Sequence, residues 1–413
     1  MNLREAHGGE HNQSTLDRAV LGRDRSPFRE DVEARRRELR EVVAGTRVLV
    51  VGGAGSIGSA TTALLAELGP SALHVIDQSE NYLAELVRDL RGRPGGLPVG
   101  DFRTLPLDYG SEIMGRYLRD AAPYELVLNF AALKHVRSEK DVYSLLQMLD
   151  TNVVSHVRFK RWLVENGHAR RYFAVSTDKA ANPTSLMGAS KRLMEDVVFD
   201  VEVAPGARVT SARFANVAFS NGSLLQGFLV RLAKRQPLAV PRDTRRYFVS
   251  QREAGEICLL AALLAPHGTV AFPKLDPLAE LKLLDEVATR VLALHGYAPR
   301  HFETEAEARD AVEPLARCGE WPVLLTPLDT SGEKPYEEFV GIGEEAIEIG
   351  LSSLRAIRHR PSEAIRGGLL DRLTEIVGST DGPIDKQGLV DAIASAIPNF
   401  AHRETGKSLD DRL

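Results

Sequence analysis

RVLVVGGAGSIGSATTALLAEL, Arg47 to Leu68, is the stretch that decides the fold. Arg47–Val51 is a short β-branched apolar run of the length of a buried strand, and Ala60–Leu68 has the character of a helix. Between them lie Gly52, Gly55 and Gly58, with Ser56 and Ile57 in the turn. Each glycine has a physical task. Gly52 permits the tight turn, Gly55 lets the backbone approach a pyrophosphate, and Gly58 lets the helix pack closely, so that phosphate rests on the helix N-terminus. A strand, a glycine turn and a helix in direct succession predict a dinucleotide-binding unit.

Working outward, the same alternation continues. Strands are expected at Ala72–Ile76, Glu125–Phe130, Tyr172–Val175 and Arg208–Phe214, and helices at Asn81–Arg91, Asn152–Glu165 and from about Ser185. Apolar strands alternating with helices predict an α/β protein with a Rossmann-like, doubly wound parallel sheet, whose ligands lie at the C-terminal strand ends. This dinucleotide-binding domain, with part of the substrate site, is expected over residues 46–275, the alternation loosening after about Asn216. A smaller mixed α/β substrate subdomain follows over 276–350, with a helix-like segment at Leu281–Leu294 and a charged helix start at Thr304–Arg309. Residues 351–413 read as a helical C-terminal extension. Residues 1–45 are polar and largely helical, and Asp31–Val43 is expected to be a solvated helix leading into the first strand.

The 413 residues, 43% hydrophobic and 26% charged, suit a globular protein with a large core. A net charge of −5 provides no concentrated basic surface for nucleic acid, yet single arginines and helix N-termini can still hold phosphate. Cys258 and Cys318 lie too far apart to form a metal or redox motif, and both are expected reduced and partly buried; no metal is expected. No apolar stretch approaches the ~18 residues needed to span a bilayer. Met1–His7 also lacks an apolar leader core, so a cytoplasmic location is expected. Ala401–Ser408 (AHRETGKS) ends like a phosphate loop but lacks the first glycine and a preceding strand, and is read as tail.

Asp77 closes the second strand 19 residues after Gly58. A carboxylate there either holds adenosine ribose hydroxyls and repels a 2′-phosphate, or caps the next helix. Gln78 and Ser79 follow instead of an arginine, which favours NAD over NADP. Asp108, at a third strand end, is a candidate for the adenine amino group. Ala131 and Ala132 are small where a cofactor must pass. Ser176-Thr177-Asp178-Lys179 follows the Tyr172–Val175 strand, where the nicotinamide should lie, and Lys191 comes twelve residues beyond Lys179. Short-chain dehydrogenases carry Tyr-x-x-x-Lys on this helix, the lysine holding the nicotinamide ribose and lowering the tyrosine pKa. Here Met187 fills the tyrosine slot and cannot transfer a proton. Thr177, Asp178 and Lys179 provide a hydroxyl, a carboxylate and an amine in its place.

The run STDKAANPTSLMGASKRLME (Ser176–Glu195) resembles the nucleotide-sugar 4,6-dehydratases of capsular-polysaccharide and flagellin-glycan biosynthesis, members of the extended short-chain dehydrogenases. GGAGSIGS (Gly52–Ser59), DQSE (Asp77–Glu80), NFAALKHV (Asn129–Val136), RFANVAFSNGS (Arg213–Ser223), RRYFVS (Arg245–Ser250) and GEKPYEEF (Gly332–Phe339) match as well. The resemblance implies conversion of UDP-N-acetylglucosamine to a UDP-4-keto-6-deoxy sugar with NAD, and self-association. Methionine in the tyrosine slot implies retention at C5. Lys179 becomes the base at C5, which requires a depressed pKa, and Asp178 the acid at the C6 hydroxyl. Thr177 would bond the C4 oxygen, and Lys191 the nicotinamide ribose. Lys134 and His135 would face the substrate, although His135 is equally readable as a buried structural histidine. Asn216, Ser220 and Ser223 would reach the sugar or diphosphate, with Arg246 as phosphate contact. Two departures stand out: Thr330-Ser331 where the family often has Arg-Pro, and Arg137 where it has proline. A C4 epimerase and a catalytically silent NAD-binding module are the alternatives.

Overall fold

Apolar segments buried on both faces form the centre of a nine-stranded sheet. They are Arg47–Val51 (β1), Ala72–Asp77 (β2), Leu126–Asn129 (β4), Arg171–Val175 (β5) and Arg208–Ala212 (β6), with half-buried Asp101–Pro106 (β3) at one edge. This arrangement is seen in a computed structural model, which describes residues 13–134, 139, 141–328, 334–360, 362–379, 386–397, 400 and 402. The order is β3-β2-β1-β4-β5-β6, followed by Thr269–Pro273, all parallel. Leu354–Arg358 and Ala346–Glu348 then complete the other edge antiparallel. Chain direction across the sheet reverses between β1 and β4, and the crevice at their C-terminal ends is the natural ligand site of such a sheet.

The Ser56–Ala66 and Gln251–Leu263 helices share the core on one face with Leu65, Ile257 and Leu260. They cross so closely that a Cβ on Gly255 would stand 2.9 Å from the Ala60 backbone. Glu112–Asp120, Ser155–Glu165 and Leu186–Asp200 contribute to the core that contains Met114, Phe159 and Met194.

The smaller lobe begins near Asn216, where the strand–helix alternation loosens, and so takes in strands ahead of residues 276–350. Leu238–Pro241, Glu320–Thr326 and Ala298–Phe302 form one parallel sheet, and Arg245–Val249 pairs with Asn216–Val217 and Leu281–Leu283. Phe228, Val287, Val291 and Trp321 fill its interior. Residues 251–273 return to the large sheet between these pieces, so the two lobes are interleaved along the chain.

The N-terminal segment is not the solvated leader expected. Leu16, Val20 and Leu21 join the small-lobe core, while Phe28, Leu39 and Val43 are fully buried in the main core. Arg23 pairs with Glu253 and with Glu280, each at 2.8 Å. Asp31 accepts from the backbone N–H of Ser352 at 3.2 Å and Ser353 at 2.8 Å, and from both hydroxyls. Charged residues outnumber apolar ones in this segment, but the thin stripe is the side that packs. The C-terminal extension also departs from an all-helical reading, because Leu354–Arg358 is a strand of the large sheet. Helices Leu369–Gly378 and Lys386–Ala396 follow it and pack Leu373 and Ile393 into the cluster that contains Leu186 and Met187. Cys258 is buried but Cys318 is exposed, not partly buried, and both are free thiols. Among the described residues no helix is long and apolar enough to cross a membrane.

Candidate active site

The glycine turn has the geometry its spacing predicts. Gly52 has φ +66°, and a Cβ there would stand 2.6 Å from Ala131 N and 2.7 Å from the Phe130 carbonyl carbon. At Gly58 a Cβ would lie 2.3 Å from Gly52 O. Gly55 is the N-cap of the Ser56–Ala66 helix and faces open space, with only Gly52 O as near as 3.6 Å. The concavity above that helix end, kept clear by missing side chains, fits a pyrophosphate. Ser56 Oγ accepts from Asn221 N at 3.0 Å, joining the turn to the small lobe, and Ile57 lines the cleft below.

Asp77 Oδ2 accepts from Ala54 N at 3.1 Å and Oδ1 from Ser79 N at 2.9 Å, while Ser79 itself caps the following helix. The carboxylate is therefore fixed beside the glycine turn, where an adenosine ribose would lie. Gln78 next to it is exposed. Asp108 is exposed and accepts from Gly110 N at 2.9 Å, so one of its oxygens is occupied locally. Ala131 N donates to Asn129 Oδ1 at 2.9 Å, and Ala132 lines the cleft. These residues together fit a dinucleotide.

Asn152 had no sequence signal but organises this wall. It sits in a π-turn, Asp150–Val154, between two helical stretches. Its Oδ1 accepts from Leu133 N, and its Nδ2 donates to Leu133 O and Ser190 Oγ, all at 2.9 Å. The extra residue of a π-turn rotates a side chain out of helical register, a device common at functional sites. Here it ties the segment after β4 to the helix carrying Met187 and Lys191.

A cleft of about 680 Å³ opens over the ends of β4 and β5. It gathers Lys134, Thr177, Lys179, Met187, Lys191, Asn216, Ser220, Ser223 and Arg246. Asp178, 2% exposed, lies directly behind Thr177 and Lys179. His135 and Arg137 lie outside the described residues, as do Thr330 and Ser331. Ser176 borders the cleft with its hydroxyl engaged, donating to Glu195 at 2.6 Å. Glu195 and Glu344 in turn clamp the fully buried Arg213 guanidinium.

Asp178 Oδ1 accepts from Thr177 Oγ1 at 2.9 Å and from Lys179 Nζ at 3.1 Å. One oxygen thus links hydroxyl, carboxylate and amine. Lys179 departs from the depressed pKa expected of a base. Burial does disfavour its charge, but Asp178 and Glu337 outweigh burial and hold its pKa above the usual lysine value. Lys191 goes the other way. Burial lowers its pKa to about 8, and its Nζ donates to Val175 O at 2.8 Å at the end of β5. Met187, 2% exposed, occupies the cleft wall where a tyrosine would stand.

Ser223 caps the Leu224–Ala233 helix by accepting from Gln226 N, so its oxygen is already engaged. Asn216 Nδ2 reaches Tyr247 O at 3.5 Å, and Ser220 is 5% exposed in the cleft wall. The Arg246 guanidinium donates to Lys334 O at 2.9 Å and Pro335 O at 3.1 Å. It anchors the segment that delivers Glu337, a residue not singled out from the sequence. The quoted Gly332–Phe339 run contains it, yet no spacing there tells which glutamate turns inward.

Residues 48–320 match the family described as polysaccharide biosynthesis proteins. The chain belongs to that family. A Methanocaldococcus jannaschii relative, known as an uncharacterized membrane protein, is 31% identical over 65% of this chain and 78% of its own. The Bacillus subtilis probable polysaccharide biosynthesis protein EpsC is 27% identical over 74% of the chain, which spans only about half of EpsC (47%). A Campylobacter jejuni UDP-N-acetylglucosamine 4,6-dehydratase (inverting) is 26% identical over 59% of this chain and 71% of its own. Among solved structures, Pen from Bacillus thuringiensis superposes with a TM-score of 0.62 at 21% identity, covering 78% of this chain and 91% of Pen. The Rossmann-like α/β fold is what this chain has in common with Pen.

Proposed function

We propose that this family member catalyses the NAD-dependent 4,6-dehydration of a nucleotide-activated hexose, UDP-N-acetylglucosamine, with retention at C5, for glycan biosynthesis, and that it works as a homo-oligomer. The observation that carries the reading is the single oxygen of Asp178 shared by Thr177 and Lys179. Relatives named as dehydratases of that sugar nucleotide support the substrate.

Bound NAD+ supplies the acceptor for hydride from sugar C4 and, once reduced, the donor to C6. Thr177 holds the C4 hydroxyl and passes its proton to the Asp178 carboxylate. Oxidation at C4 acidifies the C5 proton, which the neutral amine of Lys179 removes. Asp178, now protonated, donates to the departing C6 hydroxyl, which leaves as water. Lys179 returns its proton to C5 from the same face, which keeps the configuration. Every proton is accounted for: the C4 hydroxyl proton ends on water and the C5 proton goes back to C5. Met187 takes no part in transfer and closes the wall against bulk water.

A C4 epimerase would return hydride to C4 and would need no acid at C6. Incubation with NAD+ and UDP-N-acetylglucosamine decides between them. A product lighter by one water supports dehydration, an isomer of unchanged mass supports epimerisation, and no turnover across nucleotide sugars supports a silent module.

A further inference from the structure

Dehydration requires a neutral Lys179 amine, but two carboxylates surround its ammonium in the unliganded protein. Its proton must leave before C5 can be attacked. Asp178 is not free to take it, because that carboxylate has to receive the C4 hydroxyl proton. The remaining neighbour is Glu337, 158 residues downstream. Its Oε1 lies 3.8 Å from Lys179 Nζ, and its Oε2 lies 3.7 Å from Lys334 Nζ. Glu337 is 6% exposed and lines the cleft, and its Oε2 is buried without a hydrogen-bond partner. A buried carboxylate oxygen left without a hydrogen bond costs the fold stability, and a role in proton exchange is one reason to retain it.

We propose that Glu337 is the proton acceptor that converts Lys179 into a base, a role that rests on the dehydratase reading. One N–H bond of the ammonium breaks and one O–H bond forms on Glu337, so an ion pair becomes a neutral amine beside a neutral acid. No further reactant is needed. The amine then takes and returns only the C5 proton, so the acid form of Glu337 persists through turnover. Burial and the nearby Asp178 charge both raise the affinity of Glu337 for a proton, in the direction this transfer needs. Arg246 keeps Glu337 within reach by fixing Lys334 and Pro335 through their carbonyls. Glu337 acts through Lys179 and is a positioning residue in that sense.

Glu337→Gln keeps the shape and removes the proton site. With folding verified by its thermal melt, the variant should lose about 100-fold in kcat at neutral pH, within the range of acid–base contributions, with KM changed less than about threefold. NADH absorbance at 340 nm should rise and persist, because C4 oxidation survives while C5 deprotonation stalls. Its rate should climb with pH as solvent base strips Lys179, and Glu337→Asp should restore part of the loss. Wild-type kcat in Glu337→Gln at neutral pH overturns the proposal. Acylation of Lys179 against pH, read by mass spectrometry, tests the pairing without turnover. The half-labelling pH should fall in Glu337→Gln, and an unchanged midpoint also overturns the proposal. If the wild type never removes water from a nucleotide sugar, the dehydratase reading itself fails, and with it the role of Glu337 in a proton path, whatever the labelling shows.

Discussion

Asp178 and Lys179 are neighbours in the chain and are also joined side chain to side chain, Nζ to Oδ1 at 3.1 Å. Adjacent residues rarely meet this way in an extended strand, where they point to opposite faces. Here Asp178–Ala180 is a single 3-10 turn, which brings both groups to the same side at the mouth of β5. Asp178→Asn should keep dinucleotide binding and lower the rate of water loss at least about 100-fold. Lys179→Ala should do the same and also stop exchange of the C5 proton with deuterated solvent. Full activity in either variant, measured by mass-resolved product formation, contradicts the assigned roles.

On the reading that Lys191 holds the nicotinamide ribose, cofactor affinity should depend on pH. The depressed pKa of this lysine, about 8, means that the ammonium loses its charge and one N–H donor as pH rises through that value. The dissociation constant for NAD+ is therefore expected to increase above pH 8, and Lys191→Met should bind more weakly with no such step. Stability of the unliganded protein moves oppositely. Between about 8 and 10.5 the unfolded lysine holds more protons than the folded one, so unfolding becomes harder as pH rises through that window. Titrations by NADH fluorescence and melts across this range check both signs.

Gly58→Ala tests the phosphate cradle. The added methyl meets Gly52 O at 2.3 Å and Gly53 Cα at 2.7 Å, both backbone atoms with no rotamer to escape into. The turn must shift, and dinucleotide affinity should fall more than about tenfold, a loss of ~1.4 kcal/mol. Binding within twofold of wild type in a calorimetric titration would show that the turn tolerates the displacement.

Asn152→Ala should loosen the segment after β4. It leaves the Leu133 N–H and C=O without their partner and cuts the tie to Ser190, a change on the order of 1–3 kcal/mol in stability. Denaturant melts give the stability. A rise in KM for NAD+ that exceeds the change for sugar nucleotide would place the defect on the cofactor wall.

Asp31→Ala removes four hydrogen bonds between the N-terminal segment and Ser352–Ser353, and should cost about 1–3 kcal/mol. Burial alone would raise the pKa of Asp31, but the Ser353 and Ser352 donors outweigh it and hold the value below the ordinary 3.8. The stabilisation is thus fully present above pH 3.8 and disappears as pH falls further through the folded value. The gap in melting temperature between variant and wild type should narrow only in strong acid.

Much of the central sheet is legible in the sequence because strands covered on both faces must be apolar where they are buried, as RVLVV and RYFAV are after their leading arginines. The glycine turn is legible because backbone contact at Gly52 and Gly58 admits no side chain. Short range also explains Thr177, Asp178 and Lys179. What escapes a reading of the sequence depends on distant packing. Leu354–Arg358 is a short run interrupted by arginines, and only its place beside Thr269–Pro273 makes it a strand. Phe28 and Leu39 sit among charges, so their burial shows only once the Gln251–Leu263 helix is beside them. Glu337 and the ion pairing of Lys179 arise from two segments that meet across the fold.

The match to the family ends at residues 48 and 320, yet the protein does not fold within those limits. Phe28, Leu39 and Val43 before it and Leu354 after it lie in one continuous interior with β1. Arg23 meanwhile bridges a helix of the large lobe and a residue of the small one. The family match and the cooperative folding unit therefore have different borders here. Trimming the chain to residues 48–320 would strip oil-like surface bare on two sides of the sheet, and the resulting fragment should aggregate before its chemistry could be assayed.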